Sequence, residues 1–383
     1  MQQLNKTWTP DLINSNTYML AQKMGGAEKI IELEVFKGAL TYGAGIILAS
    51  SKIDYAFQAD ELKKLAEDAG KKMFFVNFAD PSDSMGFNPF LTMETAQIAR
   101  FFFDESMAEY VVLAEALSKV SKPITPWDIV RTFHANDKLY TSLKPIIDSL
   151  ELATETIVAL NNTNESNNVD LRSIANEGHV LVLGAIDESY NLDVIQAFIK
   201  DYFLNPVFSF DLMKQDKQKP FYFISSSDAV LDKDFLINIL RYGRKHNLYA
   251  CFTDYRTKAS DLESMNKIFS YCHNRIWGVQ KDSKTVFTVL ENHSNYKDLN
   301  KIIFLGRNDV KEILNIPLIP FKVTYQKQST SNIGHNLGVS SMGTEIIYAV
   351  DKESACDTWE RLHKDDHLES DIFFRLWHAE KID

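Results

Sequence analysis

The chain has 383 residues, a formal net charge of −11 and 45% hydrophobic residues. That length and apolar content suit two or three folded units with a large core, and they exclude a disordered polymer. The acidic balance argues against a surface that grips nucleic acid by itself, because phosphate binding needs clustered Lys and Arg, although a local basic patch is compatible with it.

Cys251, Cys272 and Cys356 are scattered and stand in no CxxC spacing. That argues against a disulfide framework or a zinc knuckle and points to reduced thiols. The first residues, MQQLNKTWTP, hold no signal-peptide core, and no apolar run approaches the ~20 residues of a membrane span. The expectation is a cytoplasmic chain, peripheral at the inner membrane only through partners.

In chain order, Thr17–Ala21 predicts a short strand, and residues 30–36 carry apolar positions at helical spacing. Gly45–Ala49 is a second strand, Asp60–Ala69 a helix ended by Gly70, and Met73–Phe78 a third strand. This β-α-β-α-β alternation predicts an α/β fold with a mostly parallel sheet flanked by helices. ADPSDSMGFNPF breaks the rhythm with two prolines and a glycine, and residues 92–160 hold helical patterns without a convincing strand. An all-helical insertion follows from that, closed by the polar loop NNTNESNN.

His179–Leu183 returns to strand, followed by a helix at Leu192–Phe203. The stretch from Lys219 to Arg256 then reads strand, helix, strand, with Phe221–Ile224 and Leu248–Phe252 expected as parallel neighbours. Ile276–Val279 and Val286–Leu290 are shorter strands, and KIIFLGRNDVKEILNIP and GTEIIYAV finish or cover the sheet edge. From Asp351 the pattern is charged and helical.

A Walker A loop, GxxxxGK[ST], cradles phosphate on backbone N–H groups, with its Lys on the terminal phosphates and its hydroxyl on Mg²⁺. The candidate is KMGGAEKI, with the pair Gly25-Gly26. Gly26 keeps the inner glycine and Lys29 the lysine, while Lys23, Glu28 and Ile30 replace the outer glycine, the residue before the lysine and the hydroxyl residue. Glu28 sets a carboxylate where phosphate would sit. Two segments compete for Walker B. Phe221–Ile224 leads to Ser226 and Ser227, whereas His179–Leu183 leads past Gly184 to Asp187 and Glu188, which serve equally as a helix cap. His363 and His367 share a helix face without a third ligand, and Tyr271-Cys272-His273 point to alternating sides of a strand, so neither makes a site.

The order of these segments resembles the ATPase domain of type IV secretion and conjugation coupling proteins, the TraD/TraG and DotL-like branch of the FtsK/HerA group. KMGGAEKI stands at that family's P-loop. GIILASSK is similar to its second strand, with Lys52 kept and Ser50 in place of the acid. AGKKMFFVNFADPSDSMGFNPF resembles its strand and S-x-x-x-N-P turn through Ser84, Asn88, Pro89 and Phe90. The segment EGHVLVLGAIDESYNLDVIQAFIKDYFL looks like its "LPALEKS" strand and helix. KPFYFISSS…RYGRKHNLYACFTDYR is similar to the Asp-Glu strand, the Arg-x-x-Gly helix end and the sensor strand, with Asp254 near the sensor Gln.

The resemblance implies a RecA-like domain in two parts, residues 1–90 and 171–350, split by a helical domain over 91–170 and followed by a helical tail over 351–383. It also implies a degenerate nucleotide site, catalytically inactive, with no cofactor. The partners implied are protein components of a secretion or conjugation complex, an active coupling ATPase among them, rather than DNA. The membrane-spanning N-terminal segment usual in such proteins is missing from this sequence. The alternative is an active DNA-translocating or assembly ATPase that holds ATP and Mg²⁺ with Lys29, Asp187 and Glu188.

Overall fold

The computed structural model describes residues 10–21, 24–49, 54–77, 84–156, 158–169, 174, 176–184, 220–226, 239–241, 243–255, 271–278, 302–305, 311–314, 316, 318–329, 340–363 and 372–382. The chain divides into two compact units, Ala39–Leu248 and the pair Met1–Gly38 with Tyr249–Asp383.

In the Ala39–Leu248 unit, β2 (Gly45–Ala49), β3 (Met73–Asn77), β4 (Val180–Gly184) and β5 (Phe221–Ser226) lie in the order β3-β4-β2-β5, each neighbour parallel. Ile46 is in register with both Val180 and Tyr222. All five residues of β2 and of β4 are buried. That is why these strands read as unbroken apolar runs rather than as alternating ones. Helix α2 (Asp54–Asp68) packs on β3 and β4, inserting Leu62 and Ala66.

Between Thr95 and Thr156 the described residues form α3 (Thr95–Phe102), α4 (Ala108–Leu117), α5 (Pro126–His134) and α6 (Asp137–Thr156), with no strand. Helix α5 starts at a reciprocal cap: Thr125 Oγ1 accepts from the Asp128 amide at 3.2 Å, and the Thr125 amide donates to Asp128 Oδ2 at 2.9 Å. Phe90, Phe102 and Phe133 pack edge and tilted around the start of this segment, centroids 5.3–6.4 Å apart.

Asn88 fastens the segment's ends. Its side-chain amide donates to the Ile124 carbonyl at 3.0 Å and the Asn162 carbonyl at 2.9 Å, and its Oδ1 accepts from the Phe90 amide at 3.0 Å. Its own amide donates to Asn168 Oδ1 at 2.8 Å. Beside it, Gly86 donates to the Asn167 carbonyl and accepts from Val169, both at 2.8 Å, so the outgoing and returning chain form a parallel bridge. A Cβ on Gly86 would overlap the Asn162 side chain, which is why a glycine stands there.

In the other unit, β1 (Thr17–Leu20), β6 (Leu248–Asp254), β7 (Asn274–Gly278), β8 (Ile302–Leu305) and β9 (Lys311–Leu314) run β6-β1-β7-β8-β9. The first three are parallel and the last two antiparallel. Asn16, just before β1, ties both neighbours: its Oδ1 accepts from Ala250 at 3.0 Å and its carbonyl from Asn274 at 3.1 Å. The glycine turn after β1 leads directly into α1 (Ala27–Thr41), which buries Ala27, Ile31, Val35 and Phe36.

The architecture is therefore α/β, with parallel strands β3-β4-β2-β5 in one unit and β6-β1-β7 in the other and helices beside them, as expected of a RecA-like domain. The helix expected at Leu192–Phe203 and the strand at Val286–Leu290 lie outside the described residues.

The tail differs from expectation. Among the described residues it is helical over α7 (Lys352–His363), and Ile372–Lys381 is a strand, β12. With β10 (Ile319–Ser329) and β11 (Ser340–Ala349) it forms an antiparallel sheet ordered β11-β10-β12. The reason is pairing. Phe373 and Phe374 stand opposite Gln328 and Lys327 of β10, and the sheet buries Phe321, Val323, Ile347 and Ala379 against Ala355 and Trp359 of α7. The apolar residues Phe373, Phe374, Leu376 and Trp377 of β12 show no period-two alternation, so the strand is not legible until its partner is known.

Candidate functional site

After strand β1, Met24–Gly26 turn directly into helix α1, the strand–turn–helix order in which a phosphate-binding loop stands. Gly25 and Gly26 have φ of 59° and 86°, the left-handed region that favours glycine. The local amides turn inward: Met24 donates to the Ala21 carbonyl at 3.0 Å, Ala27 to Met24 at 3.1 Å and Lys29 to Gly26 at 3.2 Å. Ala21 itself donates to the Asp254 carbonyl at 2.8 Å. Those three amides bond carbonyls of the turn itself.

Glu28 sits in the first turn of α1 and is fully buried, whereas Lys29 and Ile30 are half-buried. An acid at this end of a helix interacts favourably with the helix dipole. One turn on, the Glu32 carboxylate accepts a short hydrogen bond from the Thr253 hydroxyl.

Asp254 is buried at the end of β6, in register with Leu20. Its Oδ2 accepts from the Tyr18 hydroxyl at 2.7 Å. The structure thus brings Gly25, Gly26, Glu28, Lys29, Ile30 and Asp254 together around the end of β1. Lys23, Lys52, Ser227, Asp187 and Glu188 lie outside the described residues, and Ser226 ends β5 in the other unit.

The remaining candidates are structural. His363 is half-buried, bonds Glu345 Oε2 through Nε2 at 2.9 Å and packs on Trp359 with centroids 4.7 Å apart. Burial pushes the Cys272 thiol up to about 12, the wrong direction for a nucleophile. Among the described residues no group of three or more His, Cys, Asp or Glu could hold a metal ion, and no helix is long and apolar enough to cross a membrane.

Three partners were missed by sequence reasoning: Tyr18, Thr253 and Glu32. Pairs 221 and 236 residues apart leave no local signal in the sequence.

The chain is similar in structure to conjugative coupling proteins. Bacterial conjugative coupling protein TrwBΔN70, in its unbound monoclinic form, matches with a TM-score of 0.48 and 12% identity, over 79% of this chain and 84% of that one. VirB4 of Thermoanaerobacter pseudethanolicus matches with a TM-score of 0.46 and 13% identity, over 81% and 91%. Plasmid coupling protein TrwB with ADP and Mg²⁺ matches at 0.36 and 13%, over 72% and 80%. No family model matches the chain, and no curated protein matches it.

Proposed function

We propose that this protein is a catalytically inactive relative of type IV secretion coupling proteins, a pseudo-ATPase that acts as a structural or adaptor component of a secretion or conjugation machine. The observation that carries this reading is the buried carboxylate of Glu28 in the first turn of α1. A phosphate brought within about 4 Å of this carboxylate, if charged, would be repelled by about 4 kcal/mol at an effective dielectric near 20. A helix terminus returns only about 0.3–1 kcal/mol to an anion. Phosphate at this turn is therefore disfavoured, and phosphoryl transfer depends almost wholly on such positioned charge.

The partners on this reading are protein components of the machine, an active coupling ATPase among them, and not DNA. Purified protein is expected to hydrolyse ATP no faster than its Lys29→Ala variant. Hydrolysis above that control would overturn the reading and favour an ATPase that uses Lys29 with Asp187 and Glu188. Nucleotide at ~100 times Kd would then add about 2.7 kcal/mol of stability. Isolation of the tagged protein from its own cells, with its companions identified, tests the adaptor role: secretion components support it.

A further inference from the structure

Resting on that reading of an inactive site, we infer that the Gly25–Gly26 turn has taken the chain's own β11–α7 junction as its permanent ligand. The junction is built by its own sequence. Asp351 caps α7, its Oδ1 accepting from the Ser354 amide at 2.7 Å and its carbonyl from Ala355 at 3.1 Å. That cap fixes Ser354, which is buried, in the first turn of α7. The turn after β1 meets this junction at both glycines. The Val350 amide donates to the Gly25 carbonyl at 2.8 Å.

Side chains at the glycines would not fit. A Cβ at Gly25 would overlap the Tyr348 carbonyl and stand 2.6 Å from Ala349 Cα. One at Gly26 would overlap the Ser354 hydroxyl, 2.7 Å from Ser354 Cβ and 2.9 Å from Val350 Cγ2. Real Cβ atoms essentially never come within 3.0 Å of such neighbours. Close backbone approach is what glycine gives a phosphate-binding turn. Here protein backbone and a serine take that approach, and the two glycines serve packing between the core and the C-terminal sheet within one unit.

Hydrogen exchange on the full chain tests this from both sides. Ser354→Leu presses on Gly26 without adding backbone strain. It should raise amide exchange about tenfold or more in 340–363 and also in 24–30, since the contact is shared. Gly26→Ala should do the same in reverse, raising exchange in 340–363 as well as in its own turn. If each substitution loosens only the segment that carries it, the turn and junction are not partners and the inference fails. Should Ser354→Leu fail to fold, the smaller Gly26→Ala change carries the same reciprocal readout.

A third arm adds ATP and Mg²⁺ to the unmodified protein. No change in 340–363 is expected. A nucleotide-dependent loss of protection there would show the junction being displaced, and would overturn the inference. ATP hydrolysis with 340–363 still protected would overturn the inactive reading alone and leave the junction's role standing.

Discussion

Tyr18 and Asp254 show how a buried carboxylate can become part of the core. The hydroxyl that meets Asp254 Oδ2 at 2.7 Å comes from a fully buried ring, which also packs on Phe252 with centroids 5.9 Å apart. Tyr18→Phe keeps that packing and removes a buried hydrogen bond, leaving Asp254 Oδ2 without this donor, so stability should fall by about 1–3 kcal/mol in urea unfolding of the full chain. His179 gives a second residue-level expectation. Its Nδ1 accepts from the Lys72 amide at 3.4 Å and its Nε2 meets Glu177 at 3.1 Å, an arrangement that suits the neutral ring.

Burial lowers the His179 pKa below its usual 6.5, with Lys71 and Lys72 adding to the shift and Glu177 opposing it. The unfolded chain then binds the proton more readily than the folded one. The stability this residue contributes is complete above about pH 6.5 and is lost as pH falls towards the folded value. Urea midpoints should drop on acidification from pH 7.5 to 5.5, and His179→Gln should make that drop smaller.

Among the elements, the helical segment and the C-terminal sheet each depend on one side chain. Asn88→Ala leaves the Ile124 and Asn162 carbonyls and the Phe90 amide without their buried partner. The expected loss is about 3 kcal/mol, read as a lower urea midpoint. Trp359 is buried against Tyr325 at 5.0 Å and His363 at 4.7 Å. Trp359→Ala should cost about 3–5 kcal/mol and raise amide exchange first in β10–β12.

These two regions also mark how far the sequence can be read. Strands β2 and β4 were legible because burial on both faces leaves runs such as GIILA and VLVL, and α5 because Thr125-Pro126 opens it. Strand β10, with Lys322, Thr324, Gln326 and Lys327 among its residues, carries no such run. Its pairing with β12, some fifty residues on, is set by tertiary contact alone. The site followed the same division. The turn at Gly25–Gly26 was visible as glycine, while what fills it comes from Tyr348 and Ser354, far along the chain.

For the molecule as a whole, the net charge of −11 and pI near 5.4 set the expected behaviour towards polyanions. Duplex DNA at physiological salt should show no binding tighter than the non-specific range of about 10⁻⁴–10⁻⁶ M by fluorescence anisotropy. Each unit carries its own parallel strands and its own core. The parallel bridge at Gly86 and Asn168 has a consequence for how such a protein diversifies. Because the chain departs and comes back at one point, the helices between behave as a cassette whose length costs little in closure entropy. Such a cassette can be exchanged for another of different shape, provided a Gly86–Asn88–Asn168 clasp is kept.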